Sequence, residues 1–266
     1  MARAYRLAGA AHEAEGALGA ALWDAGAVAL ELDGDDLVAV FEGVAPELPA
    51  GGAWEGVDER DHVAAYFEGL DAVDVGAIVV APTHREVRLR AAQKVLWLDP
   101  GMAFGTGHHE TTRLALRALA DDALDLRGAR VLDVGSGSGV LAIAADLLGA
   151  ADALGVDVDP VTLPIARANA LRNRSRARFE LADFGAAEAQ PGSVDVLVAN
   201  LFAELHERFM PRYAAALAPG GVALLTGILD GREGLVEGAV PAGLRVRERR
   251  RDGEWWLFAL ERSGAA

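Results

Sequence analysis

The stretch Val131-Leu-Asp-Val-Gly-Ser-Gly-Ser-Gly139 sets three glycines at alternate positions directly after an apolar, β-branched run. An apolar helix-like segment, 140–148, follows at once. A second short strand then ends in an acid, Gly155-Val-Asp157. This strand–loop–helix–strand unit suits a nucleoside-bearing cofactor. Without a Cβ, Gly135, Gly137 and Gly139 let backbone N–H groups come close to a ligand. Asp157 stands 22 residues after Gly135, where its carboxylate can accept hydrogen bonds from both ribose hydroxyls. The dinucleotide fingerprint needs its third glycine one place later; position 140 is Val, which speaks against NAD or FAD.

Two further constellations accompany this unit. Asn200-Leu-Phe-Ala-Glu204 follows the apolar strand 194–199. The Asn200 amide oxygen at a strand end can accept a hydrogen bond from a substrate amine and aim its lone pair; the plainer alternative is a cap on the next helix. Met102-Ala-Phe-Gly-Thr-Gly-His-His-Glu-Thr-Thr112 puts a tight loop before a helix. Thr111 and Thr112 fall in that helix's first turn, where hydroxyls and free N–H groups reach a carboxylate. Phe104 can wall the reacting pocket. Adjacent His108 and His109 do not share a helical face, and zinc spacings are absent, so no metal is expected.

These loops need a scaffold that gathers them at one end. From residue 130 onward strands and helices alternate: strands at 130–134, 153–157, 178–181, 194–199 and 222–226, helices at 140–148, 161–172, 203–217 and 230–238. That order predicts a parallel sheet with helices on both faces, which binds ligands at the carboxyl ends of its strands. Two last strands, near 244–250 and 254–260, suggest an antiparallel hairpin at one edge. The first 50 residues read as βαββ: a strand at 4–7, a helix at 11–23, and strands at 27–32 and 37–41 joined by the turn signal Asp33-Gly34-Asp35. A connecting helix is expected from Asp58 to Leu70. The resulting division is a βαββ domain at 1–54, a linker helix at 55–75 and a cofactor-binding catalytic domain at 76–266.

The pattern D-x-G-x-G-x-G beginning at Asp133 resembles the first motif of class I S-adenosylmethionine-dependent methyltransferases. Taken with residues 100–113, Gly155-Val-Asp-Val-Asp-Pro160 and Ala199-Asn-Leu-Phe-Ala-Glu-Leu205, the chain resembles the bacterial methyltransferases of large-subunit ribosomal protein 11. The likeness covers roughly residues 95–262. It implies a Rossmann-like α/β fold with an edge hairpin and a small βαββ domain that recognises the protein substrate. It also implies S-adenosylmethionine as donor, with S-adenosylhomocysteine as product, and contacts to that donor from Thr112, Gly135, Asp157 and Asn200. Gly137 belongs to the same cradle. Asn200 and Phe104 would serve the transfer itself, while Asp133 and Asp159 are read as structural. The expected acceptors are lysine and N-terminal amines of ribosomal protein L11, taken before ribosome assembly. The alternative is a class I enzyme acting on another protein, a small molecule or RNA. One departure stands out: the family's linker helix carries tryptophans and a basic residue, whereas this chain has Asp61-His-Val-Ala-Ala-Tyr-Phe-Glu68.

Composition narrows the function further. The chain has 266 residues, no cysteine and a net charge of −15, which rules out thiol catalysis and disulfides. Residues 1–75 hold 16 acids against three arginines. That imbalance fits a basic partner or simple solubility, and it speaks against a direct grip on nucleic-acid phosphates. No apolar run reaches the ~18 residues of a spanning helix, and no signal peptide is expected. The chain is expected to be a cytoplasmic monomer.

Overall fold

The computed structural model describes residues 2–14, 17–27, 29–42, 46, 48, 51–56, 71–98, 107–121, 123–186 and 191–264. They form two compact units, Met1–Gly69 and Leu70–Ala266.

In the first unit, β1 (Ala2–Leu7), β2 (Ala29–Asp33), β3 (Asp36–Glu42) and β4 (Ala53–Gly56) make an antiparallel sheet of order β2-β3-β1-β4. The Asp33↔Asp36 register closes the expected hairpin, with Gly34 and Asp35 as its two loop residues. Leu22, on helix α1 (Ala17–Asp24), packs with Tyr5, Leu37 and Phe41 to fill the small core. The helix expected over 11–23 is shorter than read. A 3-10 turn covers Ala11–Glu13, and α1 is described over Ala17–Asp24. Strand β4 was not anticipated. It follows Gly51-Gly52 and is only four residues long, too short for a periodic signal, and the boundary expected at residue 54 falls inside it. Trp54 fixes β4 in place, 5.1 Å from the ring of Tyr5 and 5.4 Å from that of Phe41. The connecting helix expected at 58–70, with the 61–68 departure, lies outside the described residues.

The second unit is built on a seven-stranded sheet. Its strands are β8 (Arg130–Val134), β9 (Asp152–Asp157), β10 (Arg178–Leu181), β11 (Val194–Asn200), β12 (Leu217–Leu229), β13 (Leu244–Asp252) and β14 (Trp255–Arg262), in the order β10-β9-β8-β11-β12-β14-β13. The first five run parallel; β14 runs antiparallel to β12 and to β13, so it alone is reversed among the seven. A separate three-stranded sheet holds β5 (Val73–Asp74), β6 (Ile78–Ala81) and β7 (Lys94–Trp97).

Helices α2 (Glu110–Leu119), α3 (Val140–Leu148) and α4 (Thr162–Arg172) pack with one apolar cluster around Leu116, Ile143 and Val198. Helices α5 (Ala203–Ala216) and α6 (Glu233–Ala239) pack with a second around Leu197, Met210 and Phe258. Successive residues of β11 point to opposite faces. Leu197 and Val198 therefore serve different clusters, which is why this strand is apolar almost throughout. Strand β12 extends well past the expected 222–226 because it is paired on both sides, from Val194↔Leu217 to Leu229↔Trp255. The chain winds outward from β8 in one direction and from β11 in the other. A crevice therefore opens at the carboxyl ends of these two neighbours.

Candidate functional site

That crevice holds a cavity of about 840 Å³. Gly135 and Gly137 line it from the loop after β8, Asp157 from the end of β9 and Asn200 from the end of β11. The four residues singled out from three separate loops thus meet in one place. Thr111 also lines the cavity. Thr112 is 1% exposed, with its hydroxyl 3.5 Å from Asn200 Nδ2. Phe104 lies outside the described residues.

The glycine loop differs from expectation in what its donors do. The N–H groups of Gly135 and Ser136 both donate to the Val156 carbonyl, at 2.9 and 3.1 Å, and Gly139 N–H donates to Ser136 at 2.8 Å. Gly137 N–H donates to Asp157 Oδ2 at 2.8 Å. The loop is fastened to β9 by these groups and presents a bare backbone surface to the cavity. Gly139 serves packing: a Cβ there would meet the Phe179 ring at 2.7 Å and Ala166 at 3.0 Å.

The Asp157 carboxylate also accepts from Asp159 N–H at 3.0 Å. An ionised carboxylate has about four lone-pair sites, so it retains acceptor capacity toward the cavity. Asp159 in turn accepts from Val161 N–H at 2.9 Å, at the start of α4. Asp133 is fully buried. Its Oδ2 accepts from Ala142 N–H at 3.2 Å, and its Oδ1 has no partner. Burial is the main cause that pushes its pKa up to about 7; the Asp157 charge adds to it and the Ala142 bond opposes it. Raised above its unfolded value, this pKa makes Asp133 favour the fold below about pH 4, an effect lost as pH rises through 7. Asp133→Asn is therefore expected to gain stability relative to the parent chain by a few kcal/mol between pH 4 and 8. Chemical denaturation at stepped pH checks this.

Asn200 is held on both sides. Its Nδ2 donates to Thr111 Oγ1 at 3.1 Å, which leaves Oδ1 as the free end of the amide. Behind it, the Thr226 carbonyl accepts from Leu201 N–H at 2.9 Å and from His206 Nε2–H at 2.8 Å. Tyr213 donates its hydroxyl to His206 Nδ1 at 3.3 Å. Burial holds the His206 pKa down at about 4, so the ring stays neutral and keeps this arrangement. The β12 backbone bulges between Thr226 and Ile228. A Cβ on Gly227 would meet Leu201 O at 2.3 Å, and the residue sits at φ +89°. Gly227→Ala is expected to cost about 1–3 kcal/mol of stability and to lower turnover by displacing Asn200; thermal unfolding paired with kcat measures both.

The structure adds cavity residues that the motifs did not supply. Asp183 and Phe184 follow β10 and line the wall beside Asp157. The rule that ligands sit at carboxyl ends of parallel strands was the available signal for them. Trp255 comes from the edge hairpin, and its ring lies 5.2 Å from that of His109. Phe202, already part of the Asn200 motif, is 69% exposed and also lines the cavity. His108 and His109 turn to different partners, the Asp71 carbonyl at 2.6 Å and the Thr111 hydroxyl at 2.8 Å.

A doubly wound sheet with its glycine loop at the switch point, an acid ending the next strand and an antiparallel edge hairpin defines a class I S-adenosylmethionine-dependent methyltransferase. The comparisons narrow the class. The family model for ribosomal protein L11 methyltransferase (PrmA) matches residues 30–263, and the chain belongs to that family. It is 50% identical to the ribosomal protein L11 methyltransferase of Thermus thermophilus over 244 residues, 91% of this chain and 92% of that protein. It is 47% identical to the Deinococcus radiodurans protein of the same name over 256 residues, again 91% and 92% of the two chains. Among solved structures, the ribosomal protein L11 methylase of Lactobacillus delbrueckii subsp. bulgaricus superposes with a TM-score of 0.66 at 28% identity, covering 73% of this chain and 100% of that one.

Proposed function

We propose that the chain transfers methyl groups from S-adenosylmethionine to lysine and α-amino nitrogens of ribosomal protein L11. The observation that carries this reading is the Asn200 amide. It closes the strand beside the glycine loop and lines the cavity, and Thr111 accepts from its Nδ2, which leaves Oδ1 to accept from a substrate amine. Family membership supplies the substrate.

The residues present fit the donor. The bare loop at Gly135 and Gly137 admits a bulky sulfonium group, and Asp157 keeps acceptor sites for two ribose hydroxyls. Asp183 carries a carboxylate able to accept from an adenine amino group, next to the ring of Phe184. Thr112 backs Asn200 on the methionine side. When bound, the donor supplies an electrophilic methyl on a positively charged sulfur, so neither a metal nor a covalent enzyme intermediate is required.

The chain's task is to present a neutral amine in line. A free lysine, with pKa ~10.4, costs about 4–5 kcal/mol to deprotonate at pH 7, and an α-amine about 1 kcal/mol. The apolar wall of Val134, Val156, Leu201 and Phe209 keeps water out and lowers that cost by desolvating the ammonium. Asn200 Oδ1 then accepts one amine N–H and directs the lone pair, an orienting role. Phe202, exposed at the mouth, flanks the lysine's methylene stem. In this reading the acidic first unit recognises L11 before ribosome assembly, the stretch 55–75 links it to the catalytic unit, and the enzyme works as a cytoplasmic monomer without contacting nucleic acid.

The test is transfer of labelled methyl from S-adenosylmethionine into a mixture of purified ribosomal proteins and ribosomal RNA. The expected result is label in L11, on lysine and the N-terminal residue. Label confined to RNA would overturn the reading.

A further inference from the structure

The reading above leaves one proton unaccounted for: the ammonium must lose it before the nitrogen can attack, and Asn200, an amide, cannot take it. We infer that His109 accepts this proton through the hydroxyl of Thr111. Resting on the proposed amine transfer, the inference adds to it the route by which the amine becomes a nucleophile.

The geometry is a continuous line of donors and acceptors. Thr111 Oγ1 lies 3.1 Å from Asn200 Nδ2 and 2.8 Å from His109 Nδ1. All three residues line the same cavity. The His109 ring also accepts at Nδ1 from Thr111 N–H, at 3.3 Å, as the N-cap of α2. Nδ1 is therefore the lone-pair nitrogen of the neutral ring. Thr111 Oγ1 can accept from Asn200, donate to His109 and still offer one lone pair to an amine N–H. The His109 side chain is 36% exposed, so the far end of the line reaches water while Thr111, 1% exposed, is enclosed.

The groups around the ring suit a transient imidazolium. Glu110 Oε2 lies 3.9 Å from Nδ1, and the Trp255 ring packs T-shaped against the imidazole at 5.2 Å. The nearby Arg113 is paired with Glu110 at 3.2 Å and with Asp252 at 3.1 Å, and Arg117 also reaches Asp252, at 3.5 Å. The step balances as follows. The ammonium gives a proton to Thr111 Oγ1 while the Thr111 hydroxyl proton passes to His109 Nδ1. The nitrogen lone pair so freed forms the bond to the methyl carbon as the carbon–sulfur bond breaks and its electrons stay on sulfur. The imidazolium then loses a proton to solvent.

His109→Asn separates this role from helix capping, because the asparagine Oδ1 can still accept Thr111 N–H but cannot hold a proton near neutral pH. The expected result is a roughly 100-fold loss of kcat/KM for L11 at pH 7, a deficit that closes as pH rises toward the ammonium's own pKa. The affinity for S-adenosylhomocysteine should stay within about twofold, since the proposed role concerns only the proton of the acceptor amine. A readout apart from turnover is NMR titration of the parent protein with labelled histidine. The His109 midpoint should coincide with the acid limb of the parent kcat/KM profile, a test that stands even if the variant fails to fold. A pH-independent deficit, no deficit, or a mismatch between midpoint and limb overturns the inference while leaving the functional reading intact. Absence of label transfer to L11 by the parent enzyme would overturn both.

Discussion

Replacing Asn200 by alanine is expected to lower kcat by about 100- to 1000-fold, the usual scale for losing one preorganised polar group at a reacting centre. The Kd for S-adenosylhomocysteine should change by no more than about threefold on the same argument. The amide is fixed by Thr111 at its nitrogen end and by the Leu201 and Thr226 backbone behind it, so its oxygen is oriented before substrate arrives. Alanine removes the acceptor without disturbing the glycine loop or Asp157, which are held to each other. With the proposed α-amine and lysine acceptors, transfer to both should fall together, because both need the same lone-pair direction. Single-turnover rates with saturating donor, set beside calorimetric Kd values, separate the two effects. An equal loss of turnover and cofactor affinity would make Asn200 chiefly a cofactor ligand.

Replacing Asp157 by alanine should act on the other quantity. Charge-assisted hydrogen bonds contribute about 1.5–3 kcal/mol each. Losing the two proposed ribose contacts should therefore raise the Kd for S-adenosylhomocysteine by at least about 100-fold. The substitution also frees Gly137 N–H and Asp159 N–H, so the glycine loop loses its tie to β9 and the cradle loses shape. Asp157→Asn keeps one acceptor for Gly137 and should be milder, about tenfold. The alanine–asparagine difference measures how much of the effect comes from loop anchoring, and calorimetry on both variants reads it directly.

Much of this site could be read in the sequence, for a physical reason. Parallel strands end on one side of a sheet, so residues that follow them converge however far apart they lie in the chain. Gly135, Asp157 and Asn200 each follow such a strand, and they share one cavity. Asp183 obeys the same rule: its strand, β10, was legible with the observed bounds, but Asp183 lies two residues past its end, outside the glycine, Asp157 and Asn200 motifs, and so was not singled out. Trp255 arrives from the edge hairpin, where the β12–β14 register decides its place, and no local signal encodes that pairing. His206 and Tyr213 look like ordinary helix residues until the helix packs on Thr226. The glycine pattern was legible as a tight loop. The destinations of its N–H groups depend on β9 drawing alongside, and so only the fold reveals that they hold the loop instead of the ligand.

The central claim is that the crevice at the ends of β8 and β11 binds S-adenosylmethionine. Isothermal titration of S-adenosylhomocysteine into the parent chain, with NAD as control, tests it most directly. The account predicts saturable binding of one molecule per chain and no heat from NAD. Saturable NAD binding, or no heat from S-adenosylhomocysteine with a folded chain, would contradict it.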